Sequence, residues 1–301
     1  MSWLDLHLHS AFSSDGEYSP RELLSICMHS GVKVAALADH NSTRGVEDAA
    51  HWANLLHINL IPAIELDCTF QNTNLHVLGY WIHPAYDRFS QIEEDILQQE
   101  QEASQKRISL VRSLGIPFNL FTVLKQAKNG VVTGEMIAES AMELDRNKNN
   151  PLLSPYYPGG SRSDNPYVNF YWDFCSQGKP AYAPVQYISL TDAVKVIQQS
   201  GGIAILAHPG NNIKENTDLL NSIAAQGICG IEAYSSYHTA EQTAFYCDQA
   251  KRLGLTMSCG SDFHGKTKPK IKVGCVECDH LESELLSGLL EKRNQVHKSF
   301  D

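Results

Sequence analysis

Apolar positions along the chain fall into short runs separated by helix-period stretches. Trp3-Leu4-Asp5-Leu6-His7-Leu8-His9 alternates apolar and polar residues, which predicts a strand with His7 and His9 on one face. Ser19-Pro20-Arg21-Glu22 then reads as a helix start: Ser19 as N-cap, Pro20 at the first helical position and Glu22 completing a capping box, with Gly31 as the stop. Residues 32–40 (VKVAALADH) are a mostly apolar run, the pattern of a strand covered on both faces. A helical stretch over 43–57 leads to a second such strand, 58–66 (INLIPAIEL), and then to 74–82 (NLHVLGYWI). Past residue 184, the runs 201–210, 227–236 and 255–265 are separated by helical stretches over 191–200, 215–226 and 239–253. Seven strands mostly alternating with helices predict an α/β architecture with a parallel sheet.

The middle of the chain breaks this rhythm. A long charged helix is predicted over about 88–114, followed by helical spacing in NLFTVLKQAK (119–128) and TGEMIAESAMEL (133–144). Residues 145–167 are dense in Asn, Pro, Gly and Ser and read as loop. The expected organisation is therefore a first barrel segment over 1–98, a mainly helical insert over 99–184 and a second barrel segment over 185–301. Net charge is −10 over 301 residues; the insert, with nine Lys/Arg and eight Asp/Glu, is near neutral, so the remainder carries −11. A chain this acidic does not attract polyanions as a whole. No apolar stretch nears the roughly 20 residues needed to span a bilayer. With no secretory signal pattern, the eight cysteines are expected to be reduced thiols in a cytoplasmic protein. Cys275 and Cys278 form a lone CxxC, better read as two ordinary thiols than as a zinc site.

The thirteen histidines change the picture most. The candidate strands carry His7 and His9, Asp39-His40, Glu65, His76, His208, Glu232, and Asp262 with His264, nearly always at their carboxyl ends. Carboxyl ends of parallel barrel strands share one face, where barrel enzymes assemble their sites. Imidazoles bind borderline divalent ions through a neutral nitrogen, and a carboxylate can bridge two ions while offsetting their charge. So many donors exceed one tetrahedral ion and suit two or three closely spaced metals, an arrangement that clamps attacking and leaving oxygens in phosphoryl hydrolysis.

The motifs DLHLHSAFSSDG, ALADHNS, AIEL, HVLGY, AHPG and GSDFHG, in this order, resemble those of the PHP (polymerase and histidinol phosphatase) family. The resemblance covers the chain outside 99–184. It implies a distorted seven-stranded (β/α) barrel of PHP type with an inserted mainly helical subdomain. It also implies one metal held by His7, His9, Glu65 and Asp262, a second by Glu65, His76 and His208, and a third by Asp15, His40 and His264. Aspartate at position 15 resembles the branch with an inserted helical domain, which includes nucleoside 3′,5′-bisphosphate phosphatases and 5′-to-3′ exoribonucleases on short RNA. Insert-bearing relatives often show an Arg-Pro-His-Ile-Ala segment where this chain has Thr133-Gly134-Glu135-Met136-Ile137-Ala138, so contacts from that segment do not carry over.

The expected activity is that of a metal-dependent phosphoesterase using metal-activated hydroxide attack, with Glu65, Asp262 and His264 catalytic and His264, or a water it positions, protonating the leaving oxygen. Mn is the leading metal, with Fe or Zn as alternatives. Lys106, Arg107 and Arg162 are the candidate phosphate contacts, and a nucleoside 3′,5′-bisphosphate is the favoured substrate. Short RNA, histidinol phosphate, an amidohydrolase substrate and a non-catalytic metal-stabilised binding module are the alternatives, with neither membrane nor protein partner indicated. Lys266, Lys268, Lys270 and Lys272 read as a solvated loop or as an anion attractor, and Glu232 and His238 as groups that orient ligands.

Overall fold

A computed structural model of the chain describes residues 1–278 and 280–298. β1 (Leu4–Leu8), β2 (Val34–Leu37), β3 (Asn59–Phe70), β4 (Thr73–Tyr80), β5 (Ile188–Ser189), β6 (Ile203–Leu206), β7 (Gly230–Ser235) and β8 (Thr256–Gly260) form one sheet. Its order is β1-β2-β3-β4-β6-β7-β8, with β5 pairing on β3. The chain nearly closes the ring: Asp262 N donates to His7 O at 2.8 Å and His9 N to Phe263 O at 3.0 Å. The result is a mixed α/β barrel of seven main strands. Helices α1 (Pro20–His29) and α2 (Val46–Leu55) follow the first two strands. Ser19 and Glu22 make the capping box expected of α1.

The sheet is not wholly parallel. β4 runs antiparallel to both β3 and β6, because only two residues, Gln71 and Asn72, join it to β3. Both have positive φ (47° and 62°), the backbone of a tight hairpin whose twist matches the flanking strands. Reversal of β4 places its first half at the mouth formed by the carboxyl ends of its neighbours, and so His76 reaches that mouth from the start of a strand. The two-residue β5 was not foreseen.

Between β4 and β5 the chain forms α3 (Asp87–Ser113), α4 (Leu120–Gln126), α5 (Gly134–Met142) and α6 (Pro166–Phe170), the last running into a π-helical turn over Tyr171–Cys175. Part of the stretch read as loop is thus helical. These elements bury their own apolar cluster, which includes Val111, Phe118, Ile137, Leu153 and Phe170, apart from the main core around the sheet. After β5 come α7 (Leu190–Gln199), α8 (Pro209–Asn212), α9 (Thr217–Ala224), α10 (Ala240–Leu253) and α11 (Glu282–Lys298). α11, absent from the sequence reading, buries Leu285 and Leu289, one helical turn apart on one face. No described helix is long and apolar enough to cross a membrane. The eight cysteines are free thiols, and Cys275 and Cys278 join no ligand group among the described residues.

Gly260 ends β8 against β1. A Cβ there would collide with the Cβ of His7 and with Oε1 of Glu232, both fully buried. Gly260→Ala is expected to cost about 1–3 kcal/mol, as overpacked core positions do, read as a lowered midpoint in urea unfolding. An unchanged midpoint would show that the barrel mouth yields.

Candidate metal centre

The barrel mouth gathers the strand-end residues around one carboxylate. Glu65, fully buried, presents Oε2 at 3.2 Å to each of His7 Nε2, His9 Nε2 and His40 Nδ1. Its Oε1 lies 2.9 Å from His76 Nδ1 and 3.1 Å from His208 Nε2. Asp262 Oδ1 lies 3.0 Å from His9 Nε2 and 3.4 Å from His7 Nε2. His7, His9, Glu65 and Asp262 thus converge as one set, and Glu65, His76 and His208 as a second. A third set is His9, His40 and His264, with Asp15 Oδ2 3.3 Å from His264 Nε2. Asp15 therefore stands beside the histidines expected to share its ion, and His9 lies between them.

Asp67 was missed. It follows Glu65 by two residues on the same strand face and pairs directly across from His76. Its Oδ1 lies 3.3 Å from His76 Nε2 and 3.5 Å from His40 Nδ1, and the three form a further convergent set.

Several groups hold these donors in place. Glu232 Oε1 sits 2.9 Å from His7 Nδ1, and its Oε2 accepts from His208 N at 2.8 Å. Asp39 accepts from Ser13 Oγ at 2.8 Å, and that hydroxyl lies 3.1 Å from His9 Nδ1. Tyr237 Oη and Lys268 Nζ both donate to Asp262 Oδ2, at 2.7 and 2.6 Å, leaving Oδ1 facing the imidazoles. Asp262 (φ 55°) and His208 (φ 23°) hold left-handed backbone conformations, strain that tends to persist where surrounding structure imposes it at functional sites. Lys268 is thus buried in the site, not part of a solvated loop, while Lys266 pairs with Glu139 of α5 and Lys270 and Lys272 are exposed. His238 braces the turn after His208, accepting from Gly210 N at 3.0 Å, and touches none of the converging donors.

Electrostatics agree with a cation site. Burial alone would raise the Glu65, Asp262 and Asp15 carboxyls, but the surrounding cationic groups hold all three well below the usual carboxylate range. Burial lowers His40 too, yet Glu65, Asp67 and Asp15 outweigh it and lift the imidazole to about 10. The same opposition raises His7 and His76. His264 is pushed down to about 4, chiefly by burial. Its Nδ1 lies 2.9 Å from Asp262 O, so a neutral ring donates there and leaves the Nε2 lone pair facing Asp15. That geometry suits a ligand.

Buried atoms without hydrogen-bond partners test the fit directly. His7 Nε2, His9 Nε2, Asp15 Oδ1, His40 Nδ1, Glu65 Oε2, Asp67 Oδ1, Asp262 Oδ1 and His264 Nε2 are all of this kind, where buried polar atoms are ordinarily satisfied. Divalent cations among them would satisfy these donors with the nitrogen and oxygen chemistry such ions take.

A cavity of about 1300 Å³ opens from this cluster. Its walls include Asp15, Asp67, His76 and Asp262 from the barrel, and Arg107, Glu135, Tyr171 and Trp172 from the helical region. Arg107 is buried; its Nη1 donates to Val132 O at 2.5 Å, its Nη2 to Glu100 Oε2 at 3.2 Å, and its Nε has no partner. Arg162 also lines the cavity, but Asp173 holds it at 3.0 and 3.1 Å. Lys106 is exposed and outside the lining, since one residue along a helix turns the side chain by about 100°. At Gly134 a Cβ would lie 2.9 Å from Cys175 Sγ and 3.2 Å from Tyr171 Cδ2. The π-helical turn fills the space a side chain would take there. Beside it, burial and the Asp15 charge raise Glu135 to about 7.

A family profile described as PHP domain matches residues 5–140. These residues carry a PHP domain. The chain is 28% identical over 270 residues to a 5′-3′ exoribonuclease of Haemophilus influenzae, covering 86% of this chain and 89% of that protein. It is equally 28% identical over 280 residues to a 3′,5′-nucleoside bisphosphate phosphatase of Chromobacterium violaceum, covering 92% of each. A phosphoribosyl 1,2-cyclic phosphate 1,2-diphosphodiesterase of Eggerthella lenta is 25% identical over 264 residues, covering 87% of this chain and 94% of that protein. Among solved structures, an amidohydrolase from Chromobacterium violaceum with bound sulfate and no metal matches with a TM-score of 0.78 and 25% identity, covering 95% of this chain and 97% of that one.

Metal ligation needs neutral imidazoles, whereas neighbouring carboxylates raise His7, His40 and His76 against the lowering effect of burial. Loading Mn²⁺ onto chelator-stripped protein at pH 7.5 is expected to release on the order of two protons per chain, with apparent affinity falling as pH drops. A dye-monitored titration in weak buffer measures this; loading without proton release would show that these imidazoles are not displaced.

Proposed function

We propose that this PHP-domain hydrolase, a metal-dependent phosphoesterase, cleaves a phosphate ester on a small phosphorylated sugar or nucleotide that carries a second phosphate, a nucleoside 3′,5′-bisphosphate being the favoured case. The observation that carries the reading is Arg107: a buried guanidinium in the cavity wall with an unpartnered Nε, carried by α3 and not by a strand end. Such a group suits an anion that is not the reacting one.

His7, His9, Glu65 and Asp262 would hold one divalent ion, and Glu65, His76 and His208 a second, with Asp15, His40 and His264 available to a third. Asp67 would share the ion near His40 and His76. Asp15, Glu65, Asp67, Asp262 and Glu232 bring five formal negative charges and Lys268 returns one, so two divalent cations neutralise the centre. A third would leave an excess of two positive charges, the charge of one phosphate dianion. Metals in such a site supply Lewis acidity and an activated water near neutral pH. Glu65 balances charge between the sets, and Asp262, braced by Tyr237 and Lys268, keeps one oxygen turned inward. The helical segment over 99–184 acts as a cap that holds the part of the substrate remote from the scissile bond.

The names of the relatives share sugar-phosphate chemistry and differ in leaving group. A second reading, a phosphoribosyl cyclic phosphate, is favoured by position 134, where the packing of Tyr171 and Cys175 leaves no room for a long basic side chain. The deciding measurement is kcat/KM for adenosine 3′,5′-bisphosphate, AMP, short 5′-phosphorylated RNA and a ribose 1,2-cyclic phosphate bearing a 5-phosphate. The bisphosphate is expected to exceed AMP, and Arg107→Ala to lose about 10- to 150-fold on it, the equivalent of one charge-assisted hydrogen bond of roughly 1.5–3 kcal/mol. Equal efficiency on bisphosphate and AMP would remove the second-phosphate reading.

In the cavity wall, Glu135 is the carboxyl raised to about 7, and we assign it the proton delivered to the leaving oxygen. Activity should then fall as pH rises through 7, because only the protonated carboxyl can donate. Glu135→Gln should cost about 100-fold or more with an alkyl leaving group and little with p-nitrophenyl phosphate, whose leaving group needs no proton. Equal losses on both substrates would rule out the role.

A further inference from the structure

Lys128 lies half-buried in the turn between α4 and α5, with Asp15, Asp39 and Glu17 acting on its charge at longer range and its hydrogen bonds spent elsewhere. Nζ donates to three backbone carbonyls of one short loop: Ala11 O at 3.0 Å, Ser13 O at 3.1 Å and Gly16 O at 2.5 Å. An ammonium has three donors, and all three are used. The turn that carries it is itself anchored: Val131 N donates to Lys128 O at 2.9 Å, Gln101 Nε2 to Asn129 O at 2.7 Å and Val132 N to Ser104 Oγ at 2.8 Å. The lysine is therefore held from the helical cap, at the end of a fixed stem.

The caged loop carries donors of the metal centre on its inner side. Ser13 Oγ lies 3.1 Å from His9 Nδ1 and accepts from His40 N at 3.0 Å. Asp15 Oδ2 reaches His264, and Asp15 O accepts from Thr267 Oγ1 at 3.2 Å. Carbonyls on the outer side converge on a cation, as carbonyl oxygens do when they replace the hydration of an alkali ion.

We propose that Lys128 is a positioning residue that acts as a tethered monovalent cation, clamping loop 11–16 so that Asp15, His9 and His40 stand ready to hold an ion. The reading rests on the metal centre proposed above. It makes one pole of that centre depend on the cap: when the turn over 128–131 leaves the barrel, the carbonyl cage loses its cation and Asp15 loses its place. The pole built on Glu65, His76 and His208 meets the helical region through neutral hydrogen bonds instead, those of Gln177 with Asn72 and Asn74.

The test uses the full chain as wild type, Lys128→Ala and Lys128→Met, the last retaining most of the apolar stem should the smaller residue impair folding. Bound Mn²⁺ is counted by elemental analysis after equilibration in sodium buffer, and again with potassium, ammonium or butylammonium chloride added. Wild type should be indifferent to these ions. The variants should keep the metal held by Glu65, His76 and His208 but bind the weakest equivalent about 10- to 100-fold less tightly, the usual cost of losing a group that orients ligands. Potassium, ammonium or butylammonium should restore it, a rescue that a merely structural lysine would not show. Full Mn²⁺ affinity in either variant overturns the proposal, and so does a loss that no added cation restores. A wild type that binds no metal would overturn the metal reading itself, a distinct result.

Discussion

Ionised groups buried in a protein interior are costly unless opposite charge and hydrogen bonds surround them. Glu65 is a fully buried carboxylate with five imidazoles within 3.2 Å of its oxygens, and much else in the barrel mouth follows from that placement. Its two oxygens face different sets of nitrogens, so a single side chain sets the separation of the sites on either side. Without cations the carboxylates raise His7, His40 and His76 despite their burial, whereas an imidazole that binds a cation must be neutral. The left-handed backbones of Asp262 and His208, the bracing of Asp262 by Lys268, and the close approach that only glycine allows at 260 all serve the same crowding of donors.

The residues that the sequence made legible are those whose chemistry recurs at strand ends: His7, His9, His40, Glu65, His208, Asp262 and His264. Apolar runs located the strands, and each run stopped at a donor. His76 was found for an incomplete reason. It sits near the start of an antiparallel strand, since the Gln71-Asn72 hairpin lacks the Asn-Gly or Asp-Gly signal that marks a two-residue turn. Asp67 escaped because the apolar run 58–66 ended the predicted strand one residue too early, although alternation beyond Glu65 would have put it on the same face. Lys268 and Glu135 escaped because burial of a charged residue depends on contacts distant in sequence, which no local pattern carries.

The helical region changes what the acidic barrel can accept. Its cations look plentiful in the sequence, but the structure commits two that face the barrel, Arg162 to Asp173 and Lys128 to loop carbonyls, and pairs Lys266 of the barrel with Glu139 of α5. Arg107 remains with unused hydrogen-bonding capacity inside the cavity. A single such group, near an acid raised toward neutrality, discriminates by position more than by attraction, because charge already paired adds little field at a distance.

Besides neutral hydrogen bonds such as those of Gln177 with Asn72 and Asn74, cap and barrel are joined by two charged contacts with different consequences. Lys266–Glu139 is a partly exposed ion pair, a class of interaction worth little and weakened by salt. Lys128 spends its three donors on carbonyls that have no competing charge to pair with, so salt screens this contact far less. The carbonyls it gathers belong to the same residues, or their neighbours, that turn inward to His9, His40 and His264. Contact with the helical region and placement of the inward-facing donors thus share one loop.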